Sequence, residues 1–416
     1  MTGTVHIIGA GLGGLSAAVR LAPLGRRKVV IHEATAFAGG RCRSYHDAAI
    51  GMTIDNGNHL LLSGNGAALT YLRDLGAEHR LIGPQHAEFP FVDLHSGERW
   101  TLKFNDGPLP LWIFDRNRRV PGTGPLDYLS LACLLWARQG QSVGEVISCK
   151  GLLYERLVEP LILAALNIDP PQGSARLAAA IVRETLAVGG RACRPLIARE
   201  GLGPTLVEPA LAFLKQHGVT LHMEHQLRAL AFAGGSLEAL DFGTETIALG
   251  ADDAVILAVP PYAAAMLVRG LDVPNEFRAI VNAHFRIAPP ADLPPILGVL
   301  NATTQWLFSF PGRVSVTISA GDRLIDSPRE ELAATIWSEV ARVTGLPAAL
   351  PPWQIVRERR ATFAATPAQD AKRPRATTSW PNLFLAGDWT DTGLPATIEG
   401  AIRSGNRAAQ MIAQLP

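Results

Sequence analysis

The stretch from residue 4 to residue 34 constrains the fold more than any other part of this 416-residue chain. It reads TVHIIGAGLGGLSAAVRLAPLGRRKVVIHEA, in which an apolar run leads into Gly9, Gly11 and Gly14, then into a helical pattern, and then into a second apolar run that ends at Glu33. A GxGxxG spacing alone is weak in a chain with 40 glycines, but the flanking elements make it specific. The stretch therefore predicts a Rossmann-like unit of strand, glycine turn, helix and strand.

Each residue of this unit has a chemical task. The first glycine makes the turn tight, the second lets the main chain approach a pyrophosphate, and the third lets the helix pack on the strand. Glu33 follows Gly14 by 19 residues and is placed to accept hydrogen bonds from ribose hydroxyls. A carboxylate there would repel a ribose phosphate, so the pattern favours FAD or NAD over NADP.

Composition narrows the functional classes. Hydrophobic residues make up 48% of the chain and charged residues 18%, with a net charge of +1. These values favour a large buried core or an apolar cavity, and they argue against a nucleic-acid partner. The cysteines are scattered without CxxC spacing, at Cys42, Cys133, Cys149 and Cys193. They predict free thiols in a reducing compartment, the cytoplasm, and no metal site.

Two apolar segments have two interpretations each. Residues 126–138 (LDYLSLACLLWAR) and 157–166 (LVEPLILAAL) are too short to span a bilayer. They are buried helices, or they form an apolar surface that contacts a membrane or gathers a lipid substrate. Arg191 and Arg194 also have two interpretations: they lie on a solvated surface, or they contact a pyrophosphate or an anionic lipid. The N-terminus does not have the pattern of a signal peptide.

Two further pieces favour FAD over NAD. Gly39, Gly40 and Arg41 follow the ribose acid, and they offer a main chain that can approach a phosphate and a guanidinium that can neutralise it. Near the C-terminus an apolar strand at 383–386 leads into Gly387 and Asp388, and a helix is predicted to begin near residue 396.

This C-terminal segment resembles the flavin motif of the flavin amine oxidase and phytoene desaturase superfamily. The resemblance implies that Gly387 and Asp388 lie along the ribityl chain and the pyrophosphate. It also implies that the helix start at Thr397 and Ile398 points its free N–H groups at the flavin ring. In the middle of the chain, it implies that the main chain near Leu227 meets the adenine.

The resemblance also implies the domain organisation. Residues 217–232 look like a short strand pair that follows a helix at 204–216, and residues 252–261 look like the strand that leaves the cofactor domain. We therefore predict an α/β protein, with a Rossmann-like FAD-binding domain of the glutathione reductase type and an interleaved α+β substrate domain. The FAD-binding domain takes residues 1–70, 200–260 and 375–416, and the substrate domain takes residues 71–199 and 261–374.

Three stretches together resemble the hydroxysqualene dehydroxylases of bacterial hopanoid synthesis: IDNGNHLLLSG (54–64), LNIDPPQGSARLAAAIVRETL (166–186) and LFLAGDWTDTGLPATIEGAIRSG (383–405). This resemblance implies an oxidoreductase that removes the hydroxyl of hydroxysqualene and gives squalene, with hydride from reduced FAD. The implied partners are a polyprenyl substrate, an unidentified electron donor, neighbouring squalene-pathway enzymes, and the inner face of the cell membrane as a peripheral contact.

The first of these stretches supplies the catalytic hypotheses. In this superfamily it returns to the flavin after the GGR turn. We expect His59 to donate to the leaving hydroxyl, because histidine titrates near neutral pH without help. Asn58 is expected to act as a neutral donor, and Asp55 to orient His59 or to cap the turn. The alternative is a turn that only satisfies its own backbone.

Other functions remain open at the level of the sequence. The same fold serves carotenoid or phytoene-type desaturases and amine oxidases, although Trp389 is the one C-terminal candidate for the aromatic pair of an amine oxidase. A third hypothesis is a redox-silent FAD protein that acts as an isomerase or as a scaffold for terpenoid enzymes.

Overall fold

A computed structural model describes residues 3–415 of the chain. Its strands are β1 (Thr4–Ile8), β2 (Lys28–His32), β3 (Ser44–Asp47), β4 (Met52–Asp55), β5 (Leu61–Leu62), β6 (Leu81–Ile82), β7 (Glu88–Asp93), β8 (Arg99–Lys103), β9 (Pro195–Ala198), β10 (Thr220–His222), β11 (Ala229–Ala233), β12 (Ser236–Asp241), β13 (Thr246–Ala248), β14 (Ala254–Leu257), β15 (Phe277–Phe285), β16 (Ile296–Leu300), β17 (Trp306–Phe310), β18 (Arg313–Ile318), β19 (Trp353–Phe363) and β20 (Leu383–Leu385).

The helices lie between these strands and after them. They are α1 (Leu12–Leu21), α2 (Gly66–Asp74), α3 (Leu129–Leu134), α4 (Val143–Val146), α5 (Glu159–Leu166), α6 (Ala175–Glu184), α7 (Gly190–Cys193), α8 (Glu208–Gln216), α9 (Pro261–Leu267), α10 (Arg329–Thr344), α11 (Pro367–Ala371) and α12 (Ile398–Ala413). Within residues 3–415, no helix is long and apolar enough to cross a membrane.

A parallel sheet carries the predicted Rossmann-like unit, which is confirmed. Its strand order is β10-β2-β1-β14-β20, and every neighbouring pair is parallel. Strands β1, β2, β14 and β20 are short and almost wholly buried, as expected for a parallel sheet that is covered on both faces, whereas the edge strand β10 is partly exposed. The chain builds outward from β1 through β2 on one side and through β14 on the other. The crevice for a ligand is expected beyond the carboxyl ends of these central strands.

This parallel sheet takes its strands from segments far apart in the chain: residues 4–32, 220–257 and 383–385. All three segments lie within the residues assigned to the FAD-binding domain. The domain boundaries themselves remain a prediction.

A second, mixed sheet lies in the segments assigned to the substrate domain. Its order is β19-β15-β18-β17-β16-β7-β8, and only the pair β16–β7 is parallel within the described residues. One face packs against α10, whose Ile336 and Trp337 are buried among side chains of β15 and β18. This architecture suits the expected α+β organisation.

The strand pair predicted within residues 217–232 is wrong. Both strands form, but β10 pairs with β2 in the parallel sheet and β11 pairs with β12 in a separate antiparallel sheet. Between them the chain turns at Glu224, which has a left-handed φ of 53°. The edge of β2 offers β10 unpaired main-chain groups, and these decide its partner.

The two apolar segments differ in burial. Leu157, Val158, Ile162 and Leu166 are buried, so the second segment is the buried helix that was expected. The first forms only the short α3, and Leu126, Leu129 and Trp136 are 79%, 60% and 74% exposed. For these three side chains, the interpretation as buried helix is wrong.

Candidate active site

The glycine turn after β1 forms the first wall of the cleft. A Cβ at Gly14 would lie 1.9 Å from the carbonyl oxygen of Gly9, so only glycine lets α1 pack this closely on the turn. Gly9 has a φ of 106°, and a Cβ there would lie 2.5 Å from the carbonyl oxygen of Ala258. A Cβ at Gly11, in contrast, would meet nothing within 4 Å. The main chain at Gly11 is therefore open to a ligand, as the binding of a pyrophosphate requires.

A second glycine turn faces the first. Gly39 and Gly40 have φ values of 102° and 57°, which glycine adopts at little cost. The N–H of Gly39 donates to the carbonyl of Ala10 at 2.8 Å. A Cβ at Gly40 would lie only 3.4 Å from the Cα of Gly11. The two glycine turns, which we call the cradle, lie against each other and present bare main chain, and this fits a bound dinucleotide phosphate.

Glu33 lies at the end of β2, beside the first glycine turn. Its carboxylate accepts from the N–H of Ala10 at 2.8 Å and from both the N–H and the hydroxyl of Thr35, at 2.9 and 2.8 Å. A carboxylate has further acceptor capacity, so these bonds fix its position and leave room for ribose hydroxyls. The N–H of His225 donates to the Glu33 carbonyl at 2.8 Å. This bond brings the segment that carries the buried Leu227 next to the expected adenosine site.

A row of histidines beneath this segment was not anticipated from the sequence. His6 Nδ1 lies 3.1 Å from His32 Nε2, His32 Nδ1 lies 2.9 Å from His225 Nδ1, and His225 Nε2 lies 3.1 Å from a Glu245 carboxylate oxygen. Burial lowers the pKa of His32 to about 3, so its ring is neutral at pH 7. A neutral ring carries one N–H, so His32 can donate to only one of its two neighbours in the row.

The C-terminal Gly-Asp pair closes the cleft from the other side. Nη2 of Arg41 donates to both carboxylate oxygens of Asp388 at 2.7 Å, and Nη1 donates to the carbonyl of Ala361. Asp388 is nearly buried, whereas the Arg41 side chain is 43% exposed. The pair joins the second glycine turn to the end of β20 beside Gly387, and it leaves other N–H groups of the guanidinium free to face a phosphate.

Helix α12 begins at this same place. The hydroxyl of Thr397 accepts from the N–H of Gly400 at 3.0 Å, and this N-cap sets the helix start at Ile398. A Cβ at Gly405 would lie 2.1 Å from the carbonyl oxygen of Gly13, so α12 and α1 pack backbone to backbone. The N-terminus of α12 therefore lies next to the cradle, where its free N–H groups favour a negative charge.

Arg373 holds the turn between β20 and α12, and sequence reasoning did not single it out. Its buried guanidinium donates to the carbonyls of Asp388 and Thr390 and to the hydroxyl of Thr392, at 3.2, 2.5 and 3.2 Å. Asp370 pairs with it at 3.3 Å. In the sequence Arg373 stands within the basic run KRPR, which is typical of a surface and gave no signal of burial.

The polar strip at residues 55–59 links the cleft to the mixed sheet. Asp55, at the end of β4, is 2% exposed. It accepts from the Ser44 hydroxyl at 2.5 Å and from the Leu202 N–H at 2.8 Å, and it pairs with the buried Arg313 at 3.4 Å. These partners favour a role for Asp55 in capping and pairing over the orientation of His59.

Asn58 is anchored on strands β15 and β18. Its amide donates to the carbonyl of Val316 at 3.3 Å and to the hydroxyl of Thr317 at 3.1 Å, and its main-chain N–H donates to Asn282 Oδ1 at 3.3 Å. Asn58 Oδ1 and Asn282 Nδ2 are buried and have no hydrogen-bond partner within residues 3–415. Asn282 was missed, because it stands alone in the alternating pattern of a core strand.

His59 is half-buried beside this amide pair. A Cβ at Gly57 would lie 3.3 Å from Asn282 Nδ2 and 3.6 Å from His59 Nε2, so both groups lie beside Gly57. Burial lowers the pKa of His59 to about 4, with the Arg41 charge acting in the same direction and Asp55 opposing it. The expected titration near neutral pH is therefore wrong for this environment. At pH 7 the imidazole is neutral and can donate a hydrogen bond through one N–H.

Comparison with known proteins agrees with this geometry. Residues 12–413 match the family model described as flavin containing amine oxidoreductase. The chain is 61% identical over 413 residues to a hydroxysqualene dehydroxylase of Rhodopseudomonas palustris, which covers 99% of each chain. It is 58% identical over 411 residues to a hydroxysqualene dehydroxylase of Sinorhizobium fredii, covering 99% of this chain and 98% of that one.

The structure of cyclohexylamine oxidase from Brevibacterium oxydans superposes with a TM-score of 0.73 at 16% identity, covering 100% of this chain and 99% of that one. This likeness confirms the predicted fold, and the family match confirms a flavoprotein oxidoreductase with FAD as its cofactor. The chain belongs to the flavin containing amine oxidoreductase family and, within it, to the hydroxysqualene dehydroxylases.

Proposed function

We propose that the protein converts hydroxysqualene to squalene. In this reaction one allylic C–O bond breaks, one C–H bond forms at the same carbon, and the hydroxyl takes up a proton and leaves as water. FAD, when bound and reduced, supplies the hydride. The observation that carries the proposal is the near-full-length likeness to two hydroxysqualene dehydroxylases.

His59 and Asn282 are the groups that would receive the alcohol. In the tautomer with its proton on Nε2, His59 offers an N–H beside Gly57, where Asn282 Nδ2 also lies. Two neutral donors aimed at one oxygen stabilise the negative charge that develops on a departing hydroxyl. Because the pKa of His59 is lowered to about 4, the proton that completes water comes from solvent rather than from a standing imidazolium.

Asn58 acts through its neighbour. The amide of Asn58 and the oxygen of Asn282 share the hydroxyl of Thr317, and this triad fixes the orientation of the Asn282 side chain. Asp55 and Arg313 hold the base of the strip as a buried ion pair. These groups keep the two donors in place without contacting the substrate themselves.

The cofactor contacts follow from the cleft. Gly11, Gly40 and Arg41 would hold the pyrophosphate, Glu33 the ribose hydroxyls and the main chain at Leu227 the adenine. Gly387, Asp388 and the N-terminus of α12 at Thr397 and Ile398 would hold the ribityl chain and the flavin ring. The proposal also includes an external electron donor, contacts with neighbouring squalene-pathway enzymes, and a cytoplasmic protein placed peripherally on the inner face of the cell membrane.

An anaerobic single turnover tests the proposal. The enzyme's flavin is reduced by light and mixed with hydroxysqualene in detergent, and the oxidised flavin absorbance is followed while lipid is extracted. We expect the oxidised band to return as squalene accumulates one for one. A flavin that stays reduced without squalene would exclude the reaction, and the oxidised enzyme would then be screened with polyenes for desaturation. Product formed without a change in the flavin redox state would favour the alternative hypothesis of a redox-silent isomerase.

A further inference from the structure

Exposed hydrophobic side chains are concentrated in one segment of the chain. Among residues 3–415, twelve large hydrophobic side chains are exposed, and seven of them lie between residues 109 and 152. Scattered exposed hydrophobics are ordinary, but a cluster marks an interaction surface. We call the following residues the apolar face: Leu109, Leu111, Phe114, Leu126, Leu129 and Trp136.

The apolar face lies on a packed layer and cannot turn inward. The same segment buries Trp112 and Tyr128, whose rings meet edge to face at 5.0 Å. The Tyr128 hydroxyl accepts from the N–H of Val120 at 3.0 Å. Leu131 and Leu134 are also buried. The inner side of the segment is already filled by these residues, so the apolar face stays on the outer side, where it calls for an apolar environment.

The charges around the apolar face favour an anionic partner. Residues 109–152 contain five Lys or Arg and three Asp or Glu. Each acid is engaged with its own backbone: Asp115 accepts from Asn117, Asp127 from Gly124 and Glu145 from Ser142. The three acids are exposed, as are Arg116, Arg138 and Lys150, so it is the segment's excess of two positive charges that favours an anionic partner.

A polar cavity adjoins the start of this segment. Its volume is ≈ 250 Å³, and its lining includes Ser63, Gln85, His86, Asp106, Arg191 and Arg194. Nε of Arg194 is buried and has no hydrogen-bond partner within residues 3–415. Asn105 connects the cavity to the apolar face, because its carbonyl accepts from Gly190 at 2.7 Å and its amide donates to the Leu109 carbonyl at 2.8 Å. We call this the arginine pocket.

We propose that the apolar face and the arginine pocket together bind an anionic lipid bilayer. The apolar side chains enter the boundary between headgroups and acyl chains, where Trp136 suits the interface. The phosphate of an anionic headgroup meets Arg191 and Arg194 in the pocket. This inference rests on the proposed function, because a polyprenyl alcohol is held in a bilayer and must be taken from it.

A bilayer fits this surface better than a second copy of the chain. A two-fold contact through the apolar face would place the same patch on both sides of the interface. Two positively charged rims would then face each other, which disfavours the contact. An anionic membrane offers both the apolar layer and the opposite charge.

Vesicle co-sedimentation of the flavin-loaded protein tests the proposal. We expect binding to vesicles of phosphatidylcholine mixed with phosphatidylglycerol, and weaker binding to phosphatidylcholine alone. The double variant Leu126→Asp, Leu129→Asp should lose binding by about tenfold or more, because two leucines no longer enter the apolar layer. Met266→Asp is the matched control: this side chain is 81% exposed and lies outside the segment, so its variant should bind like wild type.

The arginine pocket is tested separately. Arg191→Gln, at an exposed position, should lower binding to the anionic vesicles and leave binding to phosphatidylcholine unchanged. Equal wild-type binding to both vesicle types would overturn the role of the pocket. Absence of binding to either type would overturn the whole proposal. So would a dimer in sedimentation velocity that the Leu126→Asp, Leu129→Asp variant converts to monomer while neither protein binds vesicles.

The anaerobic turnover in detergent separates this proposal from the proposed function. Variants of the apolar face should reduce detergent-solubilised hydroxysqualene at the wild-type rate, because they leave the cleft intact. Wild-type protein that binds vesicles but forms no squalene would remove the proposed function and keep the surface. Protein that forms squalene in detergent but binds no vesicle would support the proposed function and exclude membrane binding by this surface.

Discussion

The cradle for the cofactor and the polar strip at residues 55–59 belong to the same cleft, but they are built differently. The cradle is main chain: at Gly9, Gly14 and Gly39 the requirement is that no side chain be present. The strip is side chain: Asp55 and Asn58 depend on partners in strands more than two hundred residues away. The cradle should therefore respond to added volume, and the strip to lost hydrogen bonds and charge.

The largest effect is expected at Gly14. Gly14→Ala places a Cβ 1.9 Å from the Gly9 oxygen, which forces α1 away from the turn. We expect protein without FAD and a lower thermal unfolding temperature, measured by the ratio of flavin to protein absorbance and by thermal melting. Gly11→Ala is the control, because its Cβ meets nothing in the protein within 4 Å. That apoprotein should melt like wild type and bind FAD at least about tenfold more weakly. A normal FAD content in Gly14→Ala would contradict the expectation that the cradle is sensitive to added volume.

The second effect is at Asp55. Asp55→Ala leaves Arg313, whose side chain is 5% exposed, as an unpaired buried charge. We expect the free energy of unfolding to fall by about 3–5 kcal/mol, measured by urea denaturation. The double variant Asp55→Leu, Arg313→Met should recover most of that loss, because it removes both charges. A single variant that keeps its stability but loses its rate would instead place Asp55 in the chemistry.

The third effect is at His59 and concerns rate. His59→Ala should slow single-turnover dehydroxylation by about 100-fold while FAD stays bound, because one donor to the leaving oxygen is lost. His46→Ala, at an exposed histidine on β3, should change nothing. His59→Gln should keep part of the rate, since it retains a neutral N–H. A full rate in His59→Ala would remove the assignment.

The pH dependence sharpens the same assignment. With a pKa of about 4, His59 stays neutral from about pH 5.5 to 8, so the rate should be flat across that range. A rate that rises as pH falls towards 5.5 would indicate a charged acid. Because the folded pKa lies below the ordinary value of about 6.5, the unfolded chain binds more protons between these values. His59 therefore contributes a loss of stability as the pH falls from about 6.5 to about 4.

The smallest effect is expected at Asn58. Asn58→Ala removes the bonds to Val316 and Thr317, and the free energy of unfolding should fall by about 1–2 kcal/mol. The FAD content should be unchanged. Thr317→Val removes the hydroxyl shared by the triad, and the two substitutions together should cost less than the sum of their separate effects. Loss of FAD in Asn58→Ala would show that the polar strip contributes to FAD binding as well as the cradle.

The cradle could be predicted from the sequence because its rules are local. Gly14 contacts Gly9, and Glu33 contacts Ala10 and Thr35, so spacing along the chain carries the information. The polar strip could be located from the sequence, but its hydrogen-bond and ion-pair partners could not all be identified. Arg313 stands in an ordinary β-strand pattern, and only the packing of β18 against β4 shows that it is the partner of Asp55.

Other features were beyond sequence reasoning for the same reason. The burial of Arg373 depends on the turn that it fills. The segments at 126–138 and 157–166 are equally apolar in sequence, yet one exposes Trp136 and the other buries Ile162. Hydrophobicity predicts that a side chain is removed from water. The topology decides whether that side chain packs in the protein core or remains on the surface for contact with another apolar phase.

The backbone contact between Gly13 and Gly405 has a consequence for biosynthesis. The first glycine turn is synthesised long before α12 and the Asp388 partner of Arg41. Until residues 383–385 are made, β14 has no strand on its outer side, because β20 is its partner there. FAD can therefore be captured only after nearly the whole chain has been made. A chain that terminates before residue 383 should accumulate without flavin, and the exposed edge of β14 would direct it to chaperones and proteases.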